Sequence, residues 1–353
     1  ADPVGDTYAL PIHGEKYGVA YTCNDTFGTV ELGFFTIAEY PALELAMTCG
    51  APSTVSLGGT FANGVAQARY DLTFGRTKQF NINSGDTYAT AVMPGTHDVI
   101  VQRVVSNQAV DTLVVRDLQV TAATTLALDM SLALATRAST VDVTAPGATG
   151  ISVTTVLVTN NGSSTLMSYD PAAPFTALFL PAAQASADDR YQERIQISQG
   201  TQSASITRIV DQPTAQTVTA PPLLGAVSAS IAGTAPGPRI TSQWTAYPGA
   251  IGYTWTANQI RTTGCPDAAA LCGATWTANV STGWLGTAPT AFTMPDLAAL
   301  AGWHPNFDFA AGAAIDGFVQ GIAYPVGTGD LLDQTLVLGA ERRLVSAQFS
   351  ITP

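Results

Sequence analysis

Residues Met93-Pro-Gly-Thr-His-Asp-Val-Ile-Val101 carry the clearest structural signal in this 353-residue chain. Pro94-Gly95 favours a type II turn, because glycine tolerates the positive φ that the turn requires. The apolar residues after the turn begin a series of alternating runs that ends near Leu132, which is typical of β-strands. The stretch therefore predicts a small β-sandwich module, and it carries no signal for any chemistry.

The runs on either side of this turn have the two-residue period of strands. In Gln67–Phe74 the predicted core face comprises Ala68, Tyr70, Leu72 and Phe74. In the last run it comprises Leu126, Leu128, Met130 and Leu132. Because successive side chains of a strand point to opposite faces, each run places four apolar side chains on one face. Residues 51–134 are therefore the best-defined predicted domain.

Gly59-Thr60, Tyr88 and the Pro94–Val101 segment together resemble the carboxypeptidase regulatory-like, or transthyretin-like, sandwich of bacterial secreted proteins. His97 stands where the family pattern has a tyrosine. The resemblance covers about a quarter of the chain. It implies a non-catalytic spacer or binding module in a secreted bacterial protein.

Residues 1–50 predict an N-terminal β region. Two apolar runs, Tyr17–Cys23 and Thr29–Phe35, flank an Asn24-Asp25 turn signal. A third run, Leu43–Cys49, returns the second cysteine towards the first. We expect a disulfide between Cys23 and Cys49 that closes this region.

Residues 135–222 predict a second sandwich. The Ile151–Thr159 run leads into Asn160-Asn-Gly162, a strong hairpin signal. Two further runs, Arg194–Ser198 and Ala204–Val210, flank a Gln-Gly turn. Ala220-Pro-Pro222 reads as a stiff linker, because consecutive prolines favour extended backbone.

Residues 223–353 hold all five tryptophans, which are Trp244, Trp255, Trp276, Trp284 and Trp303. The run Trp244–Tyr253 resembles the start of a fibronectin type III or immunoglobulin-like domain, in which a Trp packs beside a Tyr on the next strand. Alternation over Val345–Ile351 predicts a final core strand, and Pro295–Ala301 predicts a short helix.

These elements predict an all-β protein of tandem antiparallel β-sandwich domains with few, short helices. The predicted domains are residues 1–50, 51–134, 135–222 and 223–353. The 32 glycines and 21 prolines agree with an architecture that has many turns.

Charge argues against polyanionic partners. Charged residues make up 11% of the chain and the net charge is −12. Nucleic acids and anionic membrane surfaces are recognised by clusters of Lys and Arg. The only lysines are Lys16 and Lys78, and the one adjacent basic pair is Arg342-Arg343. We therefore expect neither kind of partner, and we interpret the acidity as a source of solubility.

The four cysteines form two local pairs, Cys23 with Cys49 and Cys265 with Cys272. An even count in local pairs favours disulfides in an oxidising compartment, with free buried thiols as the alternative. Cys-x-x-Cys spacing is absent, so zinc is not expected. The chain opens Ala1-Asp2-Pro3, which we interpret as a mature secreted chain or one with a short cloning scar after signal cleavage. We expect an extracellular or cell-surface location.

Motifs for catalysis and cofactor binding are absent from the sequence. It has no Gly-x-Ser-x-Gly elbow, and its three histidines, His13, His97 and His304, are far apart. A catalytic triad or a carboxylate pair could still assemble from distant residues. We nevertheless expect no enzyme activity, no metal and no cofactor.

The aromatic side chains of the last domain are the best candidates for ligand binding. Trp244 and Trp255 are expected in the core. Trp276, Trp284 and Trp303 lie among Thr, Asn, Gly and His residues and are candidates to stack on sugar rings, with burial in the core as the alternative.

We predict a non-catalytic structural or adhesive protein, self-assembling or bound to other surface proteins. Its low charge leaves few lysines to guard edge strands against pairing with other copies. The alternatives are a glycan-binding protein that uses the C-terminal aromatics on a polysaccharide, and a secreted hydrolase.

Overall fold

The structure is a computed structural model, and it confirms the all-β class. It describes residues 14–23, 27–41, 53–66, 68–75, 77–83, 85, 87–166, 168, 170, 172–232, 238–263, 265, 271–286, 290–298, 303–327, 330–332 and 336–353. Within these residues, strands predominate and the one α-helix has four residues. None of the described helices is long and apolar enough to span a membrane.

The first ten strands are β1 (Lys16–Cys23), β2 (Phe27–Thr36), β3 (Val55–Ala62), β4 (Arg69–Phe74), β5 (Thr77–Asn83), β6 (Thr87–Val92), β7 (Gly95–Val105), β8 (Gln108–Val120), β9 (Thr124–Asp129) and β10 (Leu134–Ala135). The middle strands are β11 (Arg137–Thr144), β12 (Gly150–Thr159), β13 (Gly162–Leu166), β14 (Phe175–Phe179), β15 (Arg190–Gln199), β16 (Gln202–Val210) and β17 (Gln216–Thr219). The last elements are β18 (Ser228–Ala232), β19 (Arg239–Trp244), β20 (Ala250–Arg261), β21 (Cys272–Ser281), α1 (Thr282–Leu285), β22 (Thr290–Thr293), β23 (Ile315–Val326) and β24 (Glu341–Ile351).

The strands β3 to β10 form a sandwich of two sheets, ordered β6-β3-β9 and β10-β8-β7-β4-β5. The quoted Pro94-Gly95 stretch is where the chain leaves the first sheet at β6 and enters the second at β7. The predicted type II turn is wrong: Pro94 forms a bend, and Gly95 is already in β7 with φ +148°, far from the roughly +80° of such a turn. The turn signal therefore marks a crossing between the two sheets that enclose one apolar core, whose members include Tyr70, Tyr88 and Val101.

Two residues of the family resemblance meet inside this sandwich. The Tyr88 hydroxyl donates to the carbonyl oxygen of Leu126. A Cβ added at Gly59 would lie 1.8 Å from the same oxygen. Because β3 and β9 pair in parallel at this point, glycine allows the two backbones to approach.

Alternation predicted the core side of this sandwich well, except at Leu132, Asp71 and Thr73. Leu132 is 62% exposed, because β9 ends at Asp129 and a 3-10 turn over Met130–Leu132 breaks the two-residue period. The Asp129 carboxylate accepts from the Ser131 N–H and so starts that turn. On β4, Asp71 and Thr73 are also buried, although alternation places both on the outer face. A neighbouring part of the chain covers Thr73.

A ten-stranded sheet runs through the rest of the molecule in the order β1-β2-β21-β20-β23-β24-β16-β15-β12-β13. The small sheet β14-β11-β17 covers one part of it, and their core includes Val141, Phe179 and Ile195. The small sheet β18-β19-β22 covers another part, around Ile240 and Trp255. Two sandwich cores therefore share one sheet.

The predicted hairpins of the middle region are present. Thr159 pairs with Gly162 across the Asn-Asn turn between β12 and β13. Gly200, at φ +60°, closes the β15–β16 hairpin. In the last region the rings of Trp244 on β19 and Tyr253 on β20 lie 5.2 Å apart on consecutive strands of two different sheets, the Trp–Tyr packing implied by the resemblance.

The N-terminal strands β1 and β2 pair as predicted, and β2 then pairs in parallel with β21. Strands from the predicted segments 1–50, 135–222 and 223–353 thus share one sheet. The division into four domains stays a prediction. The predicted Leu43–Cys49 strand and the Cys23–Cys49 bridge lie outside the described residues. The predicted helix at Pro295 is wrong over residues 295–298, which form no helix.

Candidate functional sites: an aromatic surface and a buried polar seam

Trp276, the first of the three candidate tryptophans, lies on β21 and is 1% exposed. Its indole N–H donates to the Phe307 carbonyl oxygen at 2.6 Å. Its ring lies 5.5 Å from that of Trp303 and 6.5 Å from that of Phe309. Because its N–H is hydrogen-bonded and its ring is buried, Trp276 packs beneath Trp303 as a core residue and offers no surface to a ligand.

Trp303 is half-buried above Trp276 and anchors what we call the Trp303 surface, which comprises Trp303, His304, Asp308 and Asp296. The Trp303 indole N–H donates to the Asp308 carboxylate at 3.2 Å. The His304 Nδ1 accepts from the Asn306 N–H at 3.2 Å. Residues 303–308 thus present an aromatic ring, an imidazole and a carboxylate, and Asp296 adds a second acid.

The electrostatics of the Trp303 surface are dominated by its acids. Burial raises the pKa of Asp308, and the charge of Asp296 raises it further, while the hydrogen bond from Trp303 lowers it in part. Carboxylates beside an aromatic ring accept hydrogen bonds from hydroxyl groups, and the ring packs on apolar faces of a ligand. The arrangement therefore suits a neutral polyhydroxylated ligand better than an anion.

Trp284 belongs to a different place in the fold. It lies in α1, half-buried, with its ring 5.1 Å from that of Phe34. The Lys16 ammonium lies 5.6 Å from the centre of the ring and donates to the Trp284 carbonyl oxygen at 2.6 Å. Its observed contacts therefore join β1 and β2 to α1.

The predicted cysteine pair Cys265 and Cys272 forms a disulfide between the end of β20 and the start of β21. Disulfides persist in oxidising compartments outside the cytosol. No group of three or more His, Cys, Asp or Glu side chains among the described residues is arranged to hold a metal ion. His97 lies in the N-terminal sandwich, where its Nε2 is 2.7 Å from the Met93 carbonyl oxygen.

A second cluster, not predicted from the sequence, fixes the N-terminal sandwich to the edge of the ten-stranded sheet. At its centre, Arg116 on β8 makes two hydrogen bonds to the Asp189 carboxylate, at 2.7 and 2.8 Å. It also contacts Asp98 at 3.3 Å and donates to the Gln184 carbonyl oxygen at 3.0 Å. Both carboxylates are 3% exposed, whereas the Arg116 side chain is 26% exposed.

Asp98 is held ionised by its surroundings. Burial raises its pKa, but the backbone N–H of Asp117, the Thr159 hydroxyl and the Arg116 charge together outweigh burial. The net effect is a pKa below the usual range of aspartate. Asp98 therefore stays charged at neutral pH and needs Arg116 to balance it.

Hydroxyl and amide groups extend this cluster along the edge strand β13. The Thr73 and Ser164 hydroxyls are 3.0 Å apart, and the Gln102 amide donates to the Thr165 carbonyl oxygen at 2.7 Å. The Ser163 N–H donates to the Gly75 carbonyl oxygen at 2.9 Å. We call these contacts, together with those of Arg116, the polar seam. It explains why Thr73 is buried on the face that alternation assigned to solvent.

Glu193 on β15 is a buried acid away from both sites. It is 0% exposed, and Gln216 donates to one of its oxygens. The other oxygen, Oε1, accepts no hydrogen bond from the described residues. Burial raises the pKa of Glu193, and Gln216 and the Arg208 charge lower it only in part. Its unpartnered oxygen makes the charged form costly.

Comparisons with known proteins place the chain in no family. No family model matches it, and no curated protein matches it. A structure of the FN1–FN3 domains of chicken CNTN1 covers 80% of this chain and 90% of its own, with 8% identity and a TM-score of 0.19. A "putative carbohydrate binding protein" from Bacteroides uniformis covers 86% of this chain and 100% of its own, with 8% identity and a TM-score of 0.18. Superpositions this loose support no conclusion about the function of this chain.

Proposed function

We propose that the chain is a non-catalytic structural or adhesive protein of the extracellular space or cell surface. The observation that carries the proposal is the way its parts are joined. One sheet contains strands from the N-terminal and the C-terminal parts of the chain, and the polar seam joins the N-terminal sandwich to its edge strand β13 and to Asp189. A fixed arrangement of domains of this kind suits a structural protein that keeps its shape when force is applied.

The disulfide and the low charge agree with this role. Cys265–Cys272 favours an oxidising compartment. With 11% charged residues the surface relies on neutral polar side chains, which suits contact with other surface proteins or with further copies. The net charge of −12 favours neither nucleic acid nor an anionic membrane surface as a partner.

Scanning calorimetry of the full chain tests whether the joints act as proposed. If the seam and the shared sheet unite the molecule, it unfolds in one transition, with equal calorimetric and van't Hoff enthalpies. Independent modules on flexible linkers would give separate transitions. Separate transitions would show that the modules unfold independently, which would contradict the rigid joining on which the proposed structural role depends.

Glycan binding at the Trp303 surface is the second candidate. It is favoured by the half-buried Trp303 ring, whose N–H is held by Asp308 beside a second acid. Polysaccharide affinity electrophoresis of Trp303→Ala tests it, with Trp284→Ala as a matched control that removes an equal ring elsewhere. Since a stacked ring contributes about 0.5–1.5 kcal/mol, retention is expected to fall roughly two- to tenfold for Trp303→Ala alone. Equal retention of both variants and the unaltered chain would reject this site.

A further inference from the structure

The N-terminal hairpin, defined as residues 16–40, completes a core that belongs to the far end of the chain. Its side chains Val30, Leu32 and Phe35 are at most 4% exposed. Val30 and Leu32 join the core around Trp255, and Phe35 packs with Ile322 and Leu331. Without the hairpin, apolar surface would face water on both sides of this contact.

The backbone contact between the hairpin and its acceptor is long and closely fitted. Strand β2 pairs in parallel with β21 from Phe27 opposite Gly273 to Phe34 opposite Val280. A Cβ added at Gly28 would lie 2.3 Å from the Asn306 carbonyl oxygen, so glycine is needed for this approach. The edge of β21 is thus a specific strand-acceptor site.

Polar anchors at the end of the hairpin add selectivity. The Glu39 carboxylate accepts from the Ser281 hydroxyl at 2.5 Å and from the Gly283 N–H at 2.8 Å. The Tyr40 hydroxyl donates to Asp330 at 2.9 Å and accepts from the Leu331 N–H at 3.0 Å. These four partners lie more than 200 residues further along the chain, while Thr36 also donates to Glu39 within the hairpin.

Chain order gives a second copy the opportunity to supply the hairpin. During synthesis the hairpin precedes β21 by more than 200 residues, so its apolar face stays exposed until a β21 strand is available to pair with it. Residues 42–52 join the hairpin to the rest of the chain. Eleven residues span at most about 36–40 Å, which sets the upper limit on how far an exchanged hairpin can lie from its own chain. Exchange of an identical element between copies preserves its contacts and therefore costs little.

We propose that the β21 edge accepts the N-terminal hairpin of a second copy of this chain, so that copies are linked by strand donation. This inference rests on the proposed structural function and names the partner and the contact. Each copy both donates and accepts, and such head-to-tail contacts build rings or open filaments. The linked copies bury the same residues that the single chain buries within itself.

A thiol cross-link between different chains tests the exchange. Glu31 on β2 and Thr277 on β21 are paired and partly exposed, and paired strands bring Cα atoms within the range of a disulfide. Full-length Glu31→Cys and full-length Thr277→Cys, each with its own tag, are refolded together and oxidised mildly. Donation predicts a covalent heterodimer at twice the 36.5 kDa chain mass. The double variant in one chain shows that this pair of thiols can bond.

The matched control is Ala20→Cys mixed with Thr277→Cys. Ala20 is exposed on β1, where it pairs with Leu32 of β2, so it has no place beside β21. The heterodimer is expected to be at least tenfold less abundant than with Glu31→Cys. Equal yields from the two mixtures, or no heterodimer within oligomers that do form, would overturn strand donation and leave the structural role standing. Absence of any oligomer would also overturn strand donation, whereas the structural role is overturned by separate calorimetric transitions.

Discussion

Replacing Arg116 with alanine is expected to loosen the N-terminal sandwich from the rest of the molecule. The change leaves Asp98 and Asp189 as two buried carboxylates without a cation, and each is 3% exposed. Breaking a buried ion pair costs about 3–5 kcal/mol. Because 26% of the Arg116 side chain faces water, solvent reduces the loss, and we expect the free energy of unfolding to fall by about 2–3 kcal/mol.

Urea unfolding followed by two probes measures both the size and the place of the effect. All five tryptophans lie between residues 244 and 303, so fluorescence reports the C-terminal part, whereas far-ultraviolet circular dichroism reports all strands. In the unaltered chain the two transitions are expected to coincide. In Arg116→Ala the dichroism transition should begin at lower urea, because the N-terminal sandwich unfolds first.

Arg103→Ala is the control for Arg116→Ala. Arg103 pairs with Asp111 inside the same sandwich, and the two side chains are 25% and 26% exposed. An exposed pair of this kind contributes about 0.2–1 kcal/mol. If Arg116→Ala costs no more than Arg103→Ala, or if the two probes still coincide, the polar seam does not join the modules.

Three further substitutions test the interior. Burial raises the pKa of Glu193, so its contribution to stability is present below the unfolded pKa and is lost as pH rises through the folded pKa. Glu193→Gln should therefore raise the urea midpoint at pH 7 relative to the unaltered chain, with a smaller gain at pH 4. An equal gain at both pH values would contradict this. Gly59→Ala should cost about 3 kcal/mol or more in thermal unfolding, because the Leu126 carbonyl oxygen occupies the space, whereas Gly150→Ala, with no atom closer than 4.0 Å, should cost under about 1 kcal/mol. Trp276→Ala should cost about 3–5 kcal/mol through a core cavity, and a loss below about 1 kcal/mol would contradict its burial.

Local alternation was sufficient to predict many strands of this fold. Apolar side chains two residues apart identified β4, β9 and β24, and turn residues placed the β12–β13 and β15–β16 hairpins. The alternation failed at Leu132, where the Asp129 carboxylate starts a 3-10 turn. The two-residue spacing of apolar residues gives no information about a local hydrogen bond from a side chain to the backbone.

No pattern in the sequence predicted the contacts between segments that are far apart along the chain. The parallel pairing of β2 with β21 joins residues about 245 positions apart, and neither strand marks its partner in the sequence. Arg116 and Asp189 are 73 residues apart. Asp188 and Asp189 are adjacent acids in the sequence, but an acidic pair alone does not indicate a buried arginine. Polar residues next to Trp276 in the sequence suggested an exposed ring. They gave no sign that Trp303 and Phe309, from a later segment, pack against it.

Light scattering of the purified, oxidised chain over a wide concentration range, with electron microscopy of the same fractions, tests the structural role most directly. The account predicts discrete oligomers or regular filaments that grow with concentration. A monodisperse species of 36.5 kDa at every concentration would contradict a self-assembling structural unit.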